Sequence, residues 1–410
     1  MAKATPAAPL DGLTVVDCST VLAGPYCTML LGDLGANVIK VEPPEGDATR
    51  GWGPPWVGDE AAGTRTAAYY LAINRNKRSL RLDLRRDAGQ AVLRRLLERA
   101  DVVVENFRVG GFERLGFSDA VLRALNPGLV HLAISGSGTT GPDAAKPGYD
   151  FVSQAVGGLM SITGEPGGRP LKVGVAISDV VTGLFGAVSV LGALVGRERD
   201  DTPARAPGAR IDVSLLESTL AILVNQAQNA FVTGRAPSRR GNAHPSIVPY
   251  ETFTTADGEI AVAVGSERQW PRLCAALVLP ELATEARFST NGARVEHRTE
   301  LIPLLAARLA AETTASWLAK LDGAGIPCGP ILDVVEAFAS PQAAALGARV
   351  PTAHPVLGPV DQVASPFRFD GLRGAVRAAP PLLGEHSREI LSEAGFGAAE
   401  IEALSIAGVI

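Results

Sequence analysis

The chain has 410 residues, of which 46% are hydrophobic and 20% are charged, and its net charge at pH 7 is −5. This composition excludes a disordered chain, and the length is typical of about two domains with sizeable cores. The 38 basic residues are scattered along the chain, so we predict neither a nucleic-acid partner nor a membrane partner.

The four cysteines, Cys18, Cys27, Cys274 and Cys328, show no C-x-x-C spacing and have no histidine nearby. We therefore predict reduced thiols, with neither a metal site nor a disulfide framework. The first residues, "MAKATPAAPLDG", lack the apolar core of a signal peptide, and no run of about 18 uncharged apolar residues follows. The expected location is the cytoplasm.

From residue 13 to residue 134, short β-branched runs alternate with runs typical of helices. The predicted strands are "LTVVD", "NVIKVE", "DVVVENF" and "LVHLAI", and the predicted helices between them are "CTMLLGDLGA", "AGQAVLRRLLERA" and "DAVLRALN". Strand and helix in alternation indicate an α/β fold with a parallel sheet that is covered on both faces.

The pattern changes near Phe253. The run "TFTTADGEIAVAV" predicts two strands joined by a turn at Asp257 and Gly258, and amphipathic helices are expected over Trp270–Val278 and Thr299–Leu321. This part of the chain predicts a smaller α+β domain. Segments 196–210 and 233–245 are rich in proline and arginine and are predicted to be loops or linkers.

The segment "GSGTTG", residues 136–141, matches the glycine spacing of a dinucleotide-binding loop. Such a loop opens a helix, whereas here Pro142 and Pro147 prevent a helix from beginning before about Asp150. We therefore do not predict a nicotinamide or flavin site. A glycine-rich loop after a parallel strand still suits close approach of the backbone to another ligand.

Seven stretches, taken together, resemble the family III CoA-transferases in their order and spacing. They are the region "PLDGLTVVDCSTVLAGPYCTMLLGDLGANVIKVEPPEGDATRGWGPP", "NRNKRSLRLDLR", "ADVVVENFRVGGFERLG", "GYDFVSQAVGGLMSITG", "GVAISDVVTG", "GIPCGPI" and "PPLLGEHSREIL". The likeness is strongest to the branch that uses succinyl-CoA and dicarboxylates. It implies a Rossmann-like large domain formed by residues 1–224 and 330–410, a small domain over 225–329, and a homodimer of two interlocked rings.

The stretch "GVAISDVVTG" contains one carboxylate, Asp179, among apolar, small and hydroxylic residues. Considered alone, Asp179 suits a cap on a helix over Val180–Val195. The resemblance implies that it is the catalytic nucleophile, which attacks a thioester and carries CoA as an aspartyl thioester. The same residue can serve both purposes.

CoA requires cations for its phosphates, and "NRNKRS" offers Arg75 and Lys77, although such a run is also typical of a solvated surface. By family position, the further contacts to CoA are Ala23, Leu82, Asp83, Arg85, Asn106, Phe107, Arg114, Lys146 and Tyr149. Leu22 and Pro43 depart from the formyl-CoA branch, which has a polar and a basic residue there. CoA thioesters are expected as substrates, and no permanently bound cofactor is predicted.

A dicarboxylic acceptor needs a cation for the carboxylate that does not react. Candidates are Arg50, either Arg239 or Arg240, and His244, with Arg50 preferred, although an exposed loop arginine is the alternative interpretation. Glutarate, malate, itaconate, mesaconate and citramalate all satisfy such a clamp.

Three alternative functions remain open from the sequence. An α-methylacyl-CoA racemase has a histidine where Tyr149 stands, and a phenol with a usual pKa of about 10 is a poor base at neutral pH. A nucleotide-dependent oxidoreductase is opposed by the incomplete glycine-rich motif. A non-catalytic CoA-binding protein would not need Asp179.

Overall fold

The computed structural model describes residues 8–198 and 207–410, so part of the predicted loop 196–210 lies outside the described residues. The chain divides into two compact units. The first takes the described residues within Met1–Leu159, Lys172–Gln228 and Gln342–Ile410, and the second takes Met160–Leu171 and Asn229–Pro341. The chain therefore enters the second unit after residue 228 and leaves it after 341, whereas we predicted boundaries at 224 and 329.

Residues 160–171 were also expected in the large domain but belong to the second unit. Their backbone pairs with a distant segment, since the Gly241 N–H donates to the Gly164 carbonyl at 3.0 Å. The Arg239 guanidinium donates to the carbonyls of Ser161 and Gly168. These contacts join positions more than 70 residues apart, and local sequence patterns give no signal for them.

The described residues form strands and helices throughout both units. The strands, β1 to β15 in chain order, are Thr14–Asp17, Asn37–Glu42, Trp56–Val57, Thr66–Ala67, Lys77–Arg81, Val102–Glu105, Val130–Ser135, Arg210–Ser214, Tyr250–Thr254, Glu259–Ala263, Cys328–Pro330, Arg349–His354, Gly358–Val363, Arg368–Phe369 and Leu372–Arg373. The α-helices, α1 to α18, are Ala23–Asp33, Ala68–Ala72, Asp87–Leu97, Gly111–Arg114, Asp119–Leu125, Asp150–Val156, Leu159–Ile162, Ile177–Glu198, Leu215–Ala221, Val224–Thr233, Gln269–Ala276, Asn291–Glu296, Arg298–Leu309, Thr314–Gly323, Val334–Ala339, Pro341–Leu346, Ser387–Glu393 and Ala398–Ile406. Ala48–Gly51 and Pro280–Ala283 are 3₁₀ turns.

The first unit is built on a six-stranded sheet in the order β5-β2-β1-β6-β7-β8, and every pair in it is parallel. The four predicted strands lie at its centre, and β5 and β8 form the edges. Successive strands are added to one side of β1 and then, from β6 onwards, to the other side. In such sheets a crevice opens at the carboxyl ends of the two strands where the order reverses, here β1 and β6.

Alternation along each strand gives the sheet two apolar faces. Val15, Val102 and Leu132 pack with α1 and α8 on one face. Val16 and Val103 pack on the other face, where Ile390 and Leu391 of α17 complete the core. The last part of the chain therefore returns to the sheet on which its first part is built.

Helix α8 carries Asp179 in its first turn and packs closely against α1. A Cβ at Gly183 would lie 2.7 Å from the Ala23 carbonyl oxygen, so this contact requires glycine. Among the described residues, α8 is the one helix long and apolar enough to cross a membrane by length and composition, and 44% of its most apolar window is buried.

The second unit contains the antiparallel sheet β11-β10-β9. The predicted hairpin is confirmed, with Thr254 opposite Glu259 across the turn. The helix predicted over residues 299–321 is instead two helices, α13 and α14. The break occurs because the Thr313 hydroxyl accepts a hydrogen bond from the Ser316 N–H at 3.3 Å and caps a new helix.

Candidate active site

Two of the cavities in the first unit that lie at the carboxyl edge of its sheet contain the predicted site residues. The first has a volume of about 200 Å³ and the second about 390 Å³, and Thr20 and Phe107 line both. Of the residues predicted from the sequence, the first cavity brings together Ala23, Asn106, Phe107, Lys146, Tyr149 and Asp179, and the second brings together Leu82, Asp83, Arg85, Phe107 and Arg114. Both cavities occupy the crevice expected at the strand-order reversal.

Asp179 lines the first cavity, and the residue is 9% exposed. Within the described part of the chain it has no cationic partner and accepts no hydrogen bond. Burial, with a smaller contribution from the negative charge of Asp150, raises the pKa of Asp179 to about 7. Asp179 is thus a desolvated carboxylate whose ionisation falls near neutral pH, an arrangement typical of catalytic groups.

The turn that precedes α1 also lines this cavity and holds a strained residue. Val21 has a φ of 70°, which is unfavourable for a β-branched side chain. The residue before Val21 is Thr20, and the Asn106 side chain fixes both of its backbone groups. It accepts a hydrogen bond from the Thr20 N–H at 2.9 Å and donates one to the Thr20 carbonyl at 2.8 Å. The Ser19 carbonyl accepts from Lys40 Nζ at 3.0 Å. This turn is therefore fixed by two side chains, those of Asn106 and Lys40.

Asn106 lines the cavity, but its amide is already hydrogen-bonded to Thr20, so its side chain positions the turn. Helix α1, which follows, has no side-chain cap and no acidic residue in its first turn. Leu22 and Ala23 at its start line the cavity with Asp179. The positive end of the α1 dipole therefore faces the same space as the buried carboxylate.

Cations surround the two cavities. Arg85 is 65% exposed on its side chain, and Arg114 and Lys146 also lie at the cavity walls. Arg108, which sequence reasoning missed, lines the first cavity, and its place in the quoted motif "NFRVGG" was the available signal. Gly110 has a φ of 75°, and a Cβ there would lie 3.1 Å from the Arg114 guanidinium, so glycine keeps the loop close to this cation.

Two predicted phosphate ligands lie elsewhere. Arg75 is buried and donates to both oxygens of Asp33, at 2.9 and 2.5 Å. Lys77 is also buried and donates to Asp17 at 3.0 Å and to the Pro25 carbonyl at 2.8 Å. The prediction that Arg75 and Lys77 bind CoA is therefore wrong, because both cations neutralise carboxylates inside the fold.

Arg50 is likewise not free to hold a substrate carboxylate. Its guanidinium donates to the two oxygens of Glu42 at 2.8 and 2.7 Å and to the Tyr70 hydroxyl at 2.6 Å. The Glu42 side chain is fully buried, so this pair compensates a charge that would otherwise be isolated. The structure assigns Arg50 to this buried network, which corrects the prediction of a substrate clamp.

We expect Arg50→Gln to lower the free energy of unfolding by about 3 kcal/mol, because Glu42 loses its bidentate partner inside the protein. Urea unfolding monitored by circular dichroism measures this loss. The ratio of kcat/KM values for a dicarboxylic and a monocarboxylic acceptor should stay unchanged. A selective loss of the dicarboxylic acceptor with unaltered stability would restore the original assignment.

Arg240 and His244 belong to the second unit, where the His244 ring lies 5.3 Å from the ring of Tyr250. Arg298 donates to the His244 carbonyl and was not predicted from the sequence. Its position in the first turn of a charged helix, α13, gave no signal that distinguished it from a surface arginine.

Two tyrosines lie near Asp179. Tyr149 lines the first cavity and is 57% exposed. Burial and the nearby carboxylates, first of all Asp179, raise the pKa of Tyr69 to about 12, so Tyr69 keeps its proton and remains a hydrogen-bond donor. The ring of Trp52 packs edge-on against Tyr69 at 5.3 Å. Sequence reasoning missed Tyr69.

Asp150 is the first residue of α6 and accepts a hydrogen bond from the Ser178 N–H at 2.8 Å. Its charge supports the raised pKa of Asp179. We expect Asp150→Asn to move the acidic limb of the pH profile of kcat/KM below its wild-type midpoint near 7, since one negative neighbour is lost while burial remains. A series of initial rates from pH 5 to 9 tests this. If the acidic limb stays at its wild-type midpoint, a group other than Asp179 controls it.

The sequence profile of CoA-transferase family III matches residues 10–387. The chain is 42% identical to the succinate–glutarate CoA-transferase of Agrobacterium fabrum, over 94% of this chain and 95% of that one. It is 36% identical to the succinyl-CoA–D-citramalate CoA-transferase of Chloroflexus aurantiacus, over 96% of each chain. Its fold superimposes on a crystal structure of a CaiB/BaiF family protein from Brucella suis with a TM-score of 0.82 and 42% identity, covering 94% of this chain and 99% of that one.

Proposed function

The chain belongs to CoA-transferase family III, and from that premise we propose that it moves CoA from succinyl-CoA to a dicarboxylic acid through a covalent thioester on Asp179. The observation that carries the proposal is the unpaired, buried carboxylate of Asp179 in a cavity rimmed by cations. The uncapped start of α1 at the same cavity adds N–H donors that suit a developing oxyanion.

In the first half-reaction, the Asp179 carboxylate attacks the thioester carbonyl of succinyl-CoA. The carbon–sulfur bond breaks, CoA leaves as a thiolate, and a mixed anhydride forms between Asp179 and succinate. The thiolate then attacks the aspartyl carbonyl of the anhydride and expels succinate as a carboxylate. CoA is now held on Asp179 as a thioester, and no ATP is consumed.

In the second half-reaction, a carboxylate of the acceptor attacks the aspartyl thioester and again expels the CoA thiolate. The resulting anhydride is opened by attack of the thiolate on the acceptor's carbonyl. The new acyl-CoA leaves and the Asp179 carboxylate is regenerated. The raised pKa of Asp179 suits this cycle, because a desolvated carboxylate is a stronger nucleophile than a hydrated one and is still ionised above pH 7.

For CoA, we propose that the larger cavity takes the adenine end and the smaller cavity takes the thioester end. The larger cavity has an apolar lining that includes Val41, Leu82 and Leu115, which suits a planar base. Arg85, Arg108, Arg114 and Lys146 offer charges to the phosphates. Asp83, an acid, suits ribose hydroxyls or an exocyclic amino group instead.

The racemase alternative is not favoured. Moving an α-proton needs a base and an acid on opposite faces of the substrate, and Tyr149 stands where that mechanism requires an imidazole. In deuterated water, a chiral 2-methylacyl-CoA should show no enzyme-dependent exchange of its α-hydrogen.

We further propose that two copies of the chain form a homodimer in the cytoplasm. Exposed apolar side chains cluster on the neighbouring helices α6 and α8, including Phe151 and Val156 on α6 and Phe185 and Val188 on α8. A second copy of the chain suits this surface. Light scattering coupled to gel filtration should give twice the mass of one chain.

The experiment that tests the proposed function supplies the purified protein with succinyl-CoA and a panel of dicarboxylic acids. The panel includes glutarate, malate, itaconate, mesaconate and citramalate, and acyl-CoA products are measured by chromatography. We expect CoA transfer to at least one of these acids with release of succinate. Hydrolysis of succinyl-CoA without CoA transfer to any of these acids would contradict the proposal.

A further inference from the structure

The start of helix α8, which carries Asp179, is held by side chains from two other helices. Asp150, the first residue of α6, accepts a hydrogen bond from the Ser178 N–H at 2.8 Å, and the Ser178 hydroxyl accepts one from Thr219 of α9 at 2.8 Å. Ser178 is fully buried and directly precedes Asp179. Asp150 therefore caps α8 from a position 28 residues earlier in the chain.

Gln154, one turn further along α6, holds this cap in place. Its Nε2 donates to Asp150 Oδ2 at 2.8 Å, while Asp150 Oδ1 accepts from Ser178, so both oxygens of the carboxylate are occupied. The Gln154 side chain is fully buried, which shields its amide from water. The orientation of the Asp150 carboxylate therefore depends on Gln154.

The same amide fixes the segment that leads into α8. The Val173 N–H donates to Gln154 Oε1 at 2.8 Å, and Gln154 Nε2 lies 3.5 Å from the Val175 carbonyl oxygen. The chain returns to the first unit here, since Met160–Leu171 belong to the second. Side chains anchor the segment little, because Val175 is 59% exposed and a Cβ at Gly174 would meet no atom within 4 Å. The segment is therefore held through its backbone by Gln154.

An amide fits this place because it offers a donor and an acceptor at once. An ionised carboxylate at position 154 would accept from the Val173 N–H but could not donate to Asp150. A protonated carboxyl group would do both, and a thioether of similar length would do neither. These three replacements therefore separate the hydrogen bonds of Gln154 from its volume.

The carboxylate of Asp179 depends on the backbone for its position, because it accepts no hydrogen bond from the described part of the chain. The ionisable side chains near it either line its cavity or respond to its charge, and they are Arg108, Lys146, Tyr149, Tyr69 and Asp150. A displacement at the start of α8 would therefore move the carboxylate directly.

We propose that Gln154 is a positioning residue, which holds the Asp150 cap and residues 173–175 in place and so orients Asp179 for attack on the thioester. The inference rests on the proposed role of Asp179 as the nucleophile. Gln154 lines neither of the two cavities, so its effect passes through the backbone of α8. Such an effect is large because reacting atoms must lie about 3–3.5 Å apart, and a small misplacement costs much of the rate.

The first test is Gln154→Met, which keeps the length of the side chain and removes its hydrogen bonds. We expect kcat to fall about 10- to 100-fold, with the dissociation constant of CoA unchanged. Gln362→Met is the matched control, because Gln362 lies on β13 of the same unit, is 4% exposed, and has an Oε1 without a hydrogen-bond partner. The control should keep wild-type kcat. Wild-type kcat in Gln154→Met would overturn the proposal.

Gln154→Glu adds a readout that a loss of volume would not change. Burial and the charge of Asp150 raise the pKa of the introduced carboxyl group, so it is protonated at pH 6 and reproduces both hydrogen bonds. Ionisation at higher pH removes the donor. We expect the ratio of variant to wild-type kcat/KM to be about tenfold lower at pH 8.5 than at pH 6. Equal ratios at the two pH values would contradict the role of the donated hydrogen bond.

A third measurement needs no turnover. Amide hydrogen exchange at Val173 should be about five- to 150-fold faster in Gln154→Met, because the N–H loses its acceptor, and unchanged in Gln362→Met. Unchanged exchange in Gln154→Met would overturn the proposal. If wild type transfers CoA to no acid, the proposed function fails, whatever the exchange shows. If wild type is active and Gln154→Met exchanges faster yet keeps wild-type kcat, the function stands and the positioning role is wrong.

Discussion

Asp179→Ala is expected to lower the rate of CoA transfer by several orders of magnitude, because in the proposed mechanism Asp179 carries CoA between the two acids. Binding of CoA should change little, since in the proposed arrangement its phosphate and adenine ends contact other residues. The measurement is kcat with succinyl-CoA and the best acceptor, together with the dissociation constant of CoA by calorimetry. Residual transfer within about tenfold of wild type would remove Asp179 from the mechanism.

Asp179→Asn serves as the control for folding. Because burial raises the pKa of Asp179 to about 7, the folded state favours the protonated carboxyl, and the ionised form destabilises the fold increasingly as pH rises above the usual value near 4. The asparagine variant should therefore be more stable than wild type, by up to about 4 kcal/mol at pH 8 and by less at pH 5. Urea unfolding at both values tests this. If the asparagine variant is less stable than wild type at pH 8, Asp179 acts as a structural cap.

Lys77→Met is expected to give the largest loss of stability, about 3–5 kcal/mol, since the buried carboxylate of Asp17 would lose its ion-pair partner. Burial alone would raise the pKa of Asp17, but the charges of Lys77 and Lys40, with hydrogen bonds from Ser19 and Thr28, lower it to about 2. That stabilisation is fully present above about pH 4 and is lost as pH falls toward 2. Urea unfolding at pH 7 measures the loss.

The matched control for Lys77 is Lys320→Met, which removes a partly exposed lysine from its pair with Glu312 in the second unit. A surface pair of this kind is worth less than about 1 kcal/mol. The double variant Asp17→Asn with Lys77→Met should recover part of the stability, because neither charge then remains alone. Equal losses from Lys77→Met and Lys320→Met would contradict the buried pairing.

The centre of the sheet could be predicted from the sequence because its strands are β-branched runs separated by helical runs. All four predicted strands are present, and α6 begins at Asp150 as the prolines before it required. Strand β5 was missed because "KRSLR" has the composition of a solvated run. It is a strand with Lys77, Ser79 and Leu80 buried, and the carboxylate that makes this possible, Asp17, lies 60 residues earlier in the chain.

The candidate site could also be predicted only in part, because partners that are distant in the chain are not visible in the sequence. Asp179 stood out because it is the one acid in an apolar stretch, and the cavity it occupies contains most of the residues expected from family position. Arg50, Arg75 and Lys77 were assigned to ligands because a sequence shows which cations are present but not which carboxylates they meet after folding.

The most direct test of covalent catalysis is to trap the thioester on Asp179. Wild type is incubated with succinyl-CoA in the absence of acceptor, treated with borohydride, and digested for peptide mapping by mass spectrometry. Borohydride reduces a thioester carbonyl to an alcohol and leaves a free carboxylate intact, so we predict homoserine in place of aspartate at position 179, dependent on succinyl-CoA. An unmodified Asp179 in active enzyme, or reduction at another residue such as Asp150, would contradict the mechanism.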